Sequence, residues 1–245
     1  MSGIKLNVVN ASALLLAGLI SFHACADIII SGTRIVYPST AKDVTVNLQN
    51  KGNKPLLVQS WLDDGRDNVN PQQLKLPFIV TPPVTRVDAH KGQAIRITWL
   101  GQNMPQDRES LYWFNVLEVP PKAQGADKKN LLQVAFRTRI KLFFRPEGLK
   151  GTAAEAVKNL KWSLNAAAGS SVVTAKNDSP FNISIASAEL SAGGKRYSIE
   201  SHSVKPFSSE NMKIKGTLNG TSGMLNFVSI NDFGGSENHQ IAIAR

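Results

Sequence analysis

Val44-Thr45-Val46-Asn47-Leu48-Gln49 sets an apolar side chain at every second position, with a polar one between. Successive side chains of an extended chain point to opposite faces, so this stretch reads as a strand with one buried and one wetted face. The same period recurs where Ile95, Ile97 and Trp99 alternate with Ala94, Arg96 and Thr98. It recurs again where Phe181, Ile183 and Ile185 alternate with Asn182, Ser184 and Ala186. Most of the apolar members are β-branched or aromatic, the types that fit a pleated, half-buried surface. Helical periodicity is nearly absent, and only Thr152 to Leu160 suits a short helical turn.

Turn signals separate the strand-like runs at short intervals: Asn50-Lys51-Gly52-Asn53, Asp63-Asp64-Gly65, Ala192-Gly193-Gly194-Lys195 and Leu218-Asn219-Gly220-Thr221. Up to Arg145 the strand candidates lie near 28–37, 43–50, 55–62, 78–88, 93–100, 111–119 and 130–145. From Leu160 onward they lie near 160–165, 171–177, 181–190, 195–199, 211–217, 224–232 and 238–244. Seven short antiparallel strands in about 100 residues is the count of an immunoglobulin-like sandwich. The expected fold is therefore all-β, with two such sandwich domains over residues 27–146 and 147–245. The connection Pro146-Glu147-Gly148-Leu149-Lys150-Gly151 is short enough to act as an elbow rather than a flexible tether.

Residues 1–26 stand outside this pattern. Lys5 precedes an apolar stretch from Ala11 to Phe22, which ends in Ala24-Cys25-Ala26 before Asp27. That is the order of a cleaved secretory signal, and its apolar core is short for a bilayer span. Lipidation at Cys25 is the competing reading, but Phe22-His23-Ala24 lacks the leucine and small residue usual before such a site. Cleavage after Ala26 removes the single cysteine and leaves 219 of the 245 residues. The expected product is a periplasmic chain that is not inserted in a membrane and whose cores carry its stability without disulfides. The net charge is +10, with the basic residues spread along the chain. A basic balance can attract nucleic acid, anionic lipid or acidic protein, but export argues against nucleic acid.

Thr81-Pro82-Pro83 sits among strand residues, where each proline removes a ladder donor. An edge, a bulge or a switch between sheets is expected there, with one X-Pro bond open to the cis form. The strand 130–145 is long for a sandwich. Its even positions Leu132, Val134 and Phe136 are apolar, its odd positions Gln133, Arg137, Arg139 and Lys141 are polar, and a polar loop from Lys122 to Asn130 precedes it. A long edge strand with an apolar row invites a partner. Those three residues can equally be plain sandwich core. Arg34 lies among Ile28, Ile29, Ile30, Ile35 and Val36, where a charge is costly unless it is paired, functional or solvated at a strand end. Lys141, between Ile140 and Leu142, reads equally well as an outward-facing strand lysine.

Catalytic and metal chemistry find little support. His90, His202 and His239 fall in no metal-ligand spacing, and no G-x-S-x-G elbow or phosphate-binding glycine loop occurs. No cofactor or metal is expected, and no enzymatic activity.

Pro105 to Pro121, P-Q-D-R-E-S-L-Y-W-F-N-V-L-E-V-P-P, resembles the signature of the PapD-like periplasmic pilus (fimbrial) chaperones. Further blocks agree with it in order: S-G-T-R-I-V-Y-P from Ser31, L-V-Q-S-W-L from Leu57, T-P-P-V-T-R from Thr81, R-T-R-I-K-L-F-F-R-P from Arg137, N-D-S-P-F from Asn177 and I-N-D-F-G-G from Ile230. The resemblance spans essentially residues 27–245. It implies two immunoglobulin-like domains set at an angle around a cleft. It implies a chaperone that binds, stabilises and delivers pilus subunits, hands them to an outer-membrane usher, and works without a cofactor. Arg34 and Lys141 match the family residues that hold the subunit's terminal carboxylate. Leu132, Val134 and Phe136 match the row that enters the subunit's groove, and Glu109, Arg145 and Asp232 match a charge cluster between the domains. The short loop from Pro121 to Asn130 and the absence of a cysteine after residue 25 resemble the short-loop class, which serves rod-like pili. Weak self-association is expected when no client covers the row. A secreted hydrolase on a β scaffold is a first competing reading, against which the missing nucleophile–base motifs argue; a fibre subunit, the second, would carry an N-terminal donor extension, whereas the first strand here starts almost directly after the cleavage site.

Overall fold

A computed structural model describes residues 27–121, 134–167 and 170–245. Sixteen strands are described: β1 (Ile28–Ile30), β2 (Arg34–Pro38), β3 (Asp43–Asn50), β4 (Leu56–Asp63), β5 (Phe78–Thr81), β6 (Val84–Val87), β7 (Gly92–Trp99), β8 (Ser110–Val119), β9 (Phe136–Arg145), β10 (Lys161–Ala167), β11 (Ser170–Asn177), β12 (Ile185–Ala192), β13 (Lys195–Ile199), β14 (Ser208–Lys213), β15 (Ser222–Ile230) and β16 (Ser236–Ala244). The described α-helix is α1 (Ala153–Lys158), whose N-cap Thr152 accepts from the Glu155 amide, as a capping hydroxyl should.

The first nine strands form two facing sheets, in the orders β1-β3-β7-β5 and β2-β9-β8-β4-β6. The last seven form a second pair, β10-β11-β14 and β13-β12-β15-β16. Each pair encloses its own apolar core, one centred on Tyr37, Ile95, Phe114 and Phe144, the other on Leu164, Val173, Leu190 and Leu225. Alternation places these residues inward. In β3, Val46 and Leu48 are buried while Thr45 and Asn47 face water.

Two expected strands are each divided between the two facing sheets. The segment 28–37 pairs first with β3 in one sheet, then with β9 in the other, after a bend at Ser31-Gly32-Thr33. The segment 78–88 likewise leaves β7 for β4 at Pro82-Pro83, with the Thr81-Pro82 bond cis. Proline has no N–H with which to continue a ladder, so this second segment changes sheets where its ladder must stop. Of the expected strand 130–145, Phe136–Arg145 is observed; its start and the preceding loop 122–130 lie outside the described residues.

The two sandwiches meet along the outer face of the five-stranded sheet. The Glu109 amide donates to Pro180 O at 2.9 Å. The turn Asn231–Gly235, between β15 and β16, packs on the β1–β2 bend. A Cβ on Gly234, whose φ is +86°, would collide with Thr33 Oγ1, so this close approach requires glycine.

Candidate functional site: a cation clamp at the root of a half-bare strand

In β9, Ile140, Leu142 and Phe144 point into the core and are buried. Val134 and Phe136 have the same parity and share that face, yet they are 48% and 55% exposed. The row that is core at one end of the strand is therefore exposed at the other. Leu132, the third member of the row, lies outside the described residues. One edge of β9 pairs with β8 from Phe136 to Phe144. The other edge pairs with β2 only from Lys141 to Arg145. Exposed Val134 and Phe136 therefore stand beside a length of β9, residues 136–140, that has no strand on its second edge among the described residues, an arrangement suited to receiving another strand.

The clamp sits where that free edge ends. Arg34 opens β2 directly opposite Lys141 of β9, so both side chains leave the outer face of the sheet together. Arg34 Nη1 donates to Ile230 O at 2.8 Å, and its Nε is buried without a partner. Lys141 Nζ donates to Ser184 Oγ at 2.9 Å and to Ser203 Oγ. Burial, reinforced by the neighbouring Arg34 charge, brings the Lys141 ammonium down to about 8. Burial also pulls the Arg34 guanidinium below its usual value, opposed by the Asp232 carboxylate. Two adjacent, partly desolvated cations, hydrogen-bonded to neutral oxygens, form a site for an anion.

Ser184 and Ser203 were not legible as site residues. Ile183 and Val204 form an isolated antiparallel bridge and bury their side chains in the second core. Their neighbours Ser184 and Ser203 must then turn outward, and local parity hints at this. That both hydroxyls meet Lys141 is decided by the packing of one sandwich on the other.

Glu109, Arg145 and Asp232 come together at the sandwich junction. Arg145 Nε donates to Glu109 Oε1 at 2.7 Å, and its Nη1 and Nη2 grip Asp232 Oδ2 and Oδ1 at 2.8 and 3.1 Å. Glu109 Oε2 accepts from the Asn182 amide at 2.7 Å and from Asn182 Nδ2 at 3.2 Å. The Arg145 guanidinium also lies 5.3 Å from the centroid of the Phe181 ring. Arg145, Phe143, Lys141, Arg139 and Arg137 share the outer face of β9, so charge cluster, clamp and free edge are arranged along a single strand.

Residues 27–150 match the model of the pili and flagellar-assembly chaperone PapD N-terminal domain, and residues 155–241 that of the pili-assembly chaperone PapD C-terminal domain. The chain is 51% identical over 221 residues to the probable fimbrial chaperone YadV of Escherichia coli K12, covering 88% of this chain and 89% of that protein. It is 36% identical over 244 residues to the chaperone protein FimB/FhaD of Bordetella pertussis, covering 98% and 97%. Among solved structures, the YadV chaperone superposes with a TM-score of 0.77 at 48% identity, over 89% of this chain and 100% of that one. A structure of the Salmonella enterica SafA pilin in complex with the SafB chaperone matches with a TM-score of 0.74 at 29% identity, over 91% and 99%. Two ordered domain matches and the sandwich pair just described converge on one conclusion: the chain belongs to the PapD-like pili-assembly chaperone family.

Proposed function

We propose that this chain is a periplasmic chaperone that captures fimbrial subunits by adding a strand to them, anchors their terminal carboxylate, and passes them to an outer-membrane usher. The observation that carries this reading is the half-bare β9, where exposed Val134 and Phe136 precede the buried Ile140, Leu142 and Phe144 beside an edge left unpaired among the described residues. Strand addition is the known mode of chaperone–pilin pairing, with main-chain bonds giving affinity and side-chain pockets giving selectivity. Leu132, Val134 and Phe136 would fill successive gaps in a client sandwich that lacks a strand, each contributing about 1.5–3 kcal/mol. Register needs a fixed point, because a slip of one residue turns every side chain to the wrong face. Arg34 and Lys141 supply that point by donating to the client's terminal carboxylate in place of the serine and carbonyl oxygens they hold in the free protein.

The working units are residues 27–146 and 147–245, with Glu109, Arg145 and Asp232 fixing the angle between them. The chain works by binding rather than by turnover. Ser229 Oγ does lie 2.8 Å from His239 Nε2, but Ser229 is buried and cannot meet a substrate. When no client is present, the bare Phe136 row favours weak self-association. Co-expression with a panel of fimbrial subunits tests the reading: a one-to-one complex with at least one subunit is expected. Failure of every subunit to be protected from degradation would overturn it. Phe136→Glu should fold normally yet weaken capture at least tenfold, since it places a charge in an apolar pocket. A Phe136→Glu protein with wild-type affinity would remove β9 from the mechanism.

Export completes the proposal. No helix among the described residues is long and apolar enough to cross a membrane. The Ala24-Cys25-Ala26 site before Asp27 leads us to expect a mature chain that begins at Asp27 and carries no lipid. Intact-mass measurement on periplasmic extract checks this, and a diacylated Cys25 would contradict it.

A further inference from the structure

Between Phe136 and Ile140, β9 is held on its β8 edge alone among the described residues, and its core-facing side is bare at Phe136. Anything else that fixes this length of strand before a client arrives must act from the opposite face. There the polar residues of β4, β8 and β9 form a closed network around Asp63, whose side chain is 1% exposed. Asp63 Oδ2 accepts from Arg139 Nε at 3.0 Å and from Asn115 Nδ2 at 2.8 Å, and Oδ1 accepts from Arg139 Nη2 and from the Gly65 amide at 2.8 Å. Asn115 Oδ1 accepts from Arg137 Nε at 2.9 Å, and Arg137 Nη1 donates to Asp67 O at 3.0 Å. The two guanidinium groups are also laid on rings, Arg137 5.1 Å from the centroid of Trp61 and Arg139 4.2 Å from that of Trp113. Burial pulls the Asp63 carboxyl up, but hydrogen bonds from Arg139, Asn115 and Gly65 outweigh it and hold the group below the usual carboxylate range.

Arg137 and Arg139 are two like charges on one face of one strand, so without Asp63 they would repel each other and leave their stacks. Resting on the strand-donation reading above, we infer that Asp63, with Asn115, is the positioning group of the donor strand. It fixes Arg137 and Arg139, and through them the straightness and register of Phe136–Ile140 before any client is present. Phe136 is then presented already in place, and the client does not lose affinity to ordering the strand that captures it.

Asp63→Asn keeps the shape and removes the charge. Arg137→Met, on a partly exposed residue, removes one spoke and serves if the first variant fails to fold. Each is compared with wild type in two assays. The first is amide hydrogen exchange of the free protein. The second is binding of a fluorescent peptide that carries the C-terminal strand of a captured fimbrial subunit. Faster exchange confined to the β8–β9 pairing at 136–140 is expected, with the β3–β7 pairing unchanged and peptide binding weakened about tenfold. Combination with Phe136→Ala should lose less than the product of the two single losses, because both act through the same contact. Unchanged exchange at 136–140 would overturn the inference even if peptide binding fell, and faster exchange with wild-type affinity would overturn it as well. The strand-donation reading fails separately, if the Phe136→Glu protein binds the peptide as tightly as the wild type. The exchange assay, which uses no peptide, then alone decides whether Asp63 holds the strand.

Discussion

Lys141→Met is expected to weaken subunit capture severely while leaving the protein about as stable as the wild type. Lys141 holds a charge in a partly desolvated corner with two hydroxyls and no carboxylate on its ammonium, beside the like charge of Arg34. Its folded value of about 8 lies below the ordinary 10.5, so the folded state binds this proton less tightly than the unfolded chain. Below pH 8 both states are protonated and the full cost of keeping the cation buried is present. Between about 8 and 10.5 the unfolded chain binds more protons, so stability should rise with pH across that window. Methionine removes the buried charge and with it that rise, while the two serines lose one donor each at a cost of roughly 1 kcal/mol. The thermal midpoint of the variant should therefore stay close to that of the wild type at pH 7. Capture is a different matter. A charge-assisted bond to the client carboxylate contributes about 1.5–3 kcal/mol, so its loss should weaken binding from about tenfold to more than a hundredfold. Wild-type affinity should itself fall as pH rises above about 8, where free Lys141 is increasingly neutral. Thermal melts and titrations from pH 7 to 10 check both parts. A variant that loses fold and capture together, or one that keeps wild-type affinity, would reject the clamp.

Arg145→Ala should be the most destabilising single change at the sandwich junction. Glu109 is 1% exposed at its side chain, and Arg145 supplies its only charged partner among the described residues, at 2.7 Å. Removing the arginine strands a buried carboxylate, at a cost of about 3–5 kcal/mol. It also frees Asp232, which is 29% exposed at its side chain and can be solvated. Asp232→Ala leaves Arg145 gripping Glu109, so its cost should be only roughly 1–2 kcal/mol. The ordering is the sharper test. Denaturant melts in which Asp232→Ala costs as much as Arg145→Ala would show that Glu109 does not depend on the arginine. The Glu109→Gln/Arg145→Met double variant should recover most of the loss, since it leaves no buried charge unpaired.

Strand content was open to reading from residue type alone, because a period of two records which side of a sheet each residue takes. The alternation at Val44–Gln49 and Phe181–Ala186, the ladder-breaking Pro82-Pro83 and the turn of helix at Thr152–Leu160 each report a local preference that the fold keeps. The division of 28–37 and 78–88 between two sheets was less legible. A strand's residues say that it pairs, but not with which neighbour. Arg34 and Lys141 were visible as charges among apolar neighbours, and family likeness rather than periodicity suggested their roles.

What the sequence determined by itself was parity. Ile140, Leu142 and Phe144 share a face with Val134 and Phe136, and Arg137, Arg139 and Lys141 share the other, whatever surrounds them. Only the tertiary structure decided which stretch of each face is covered. Phe144 is core and flanked by β2, whereas Phe136 is bare where β2, which begins opposite Lys141, no longer flanks β9. Asp63, Ser184 and Ser203 lie 43 or more residues from the β9 side chains they hold, and no local pattern encodes contacts at that separation. The serine contacts form because two folded sandwiches pack on each other, and the Asp63 contact because β4, β8 and β9 lie side by side in one sheet; the free energy of either belongs to the assembled surfaces rather than to any one segment.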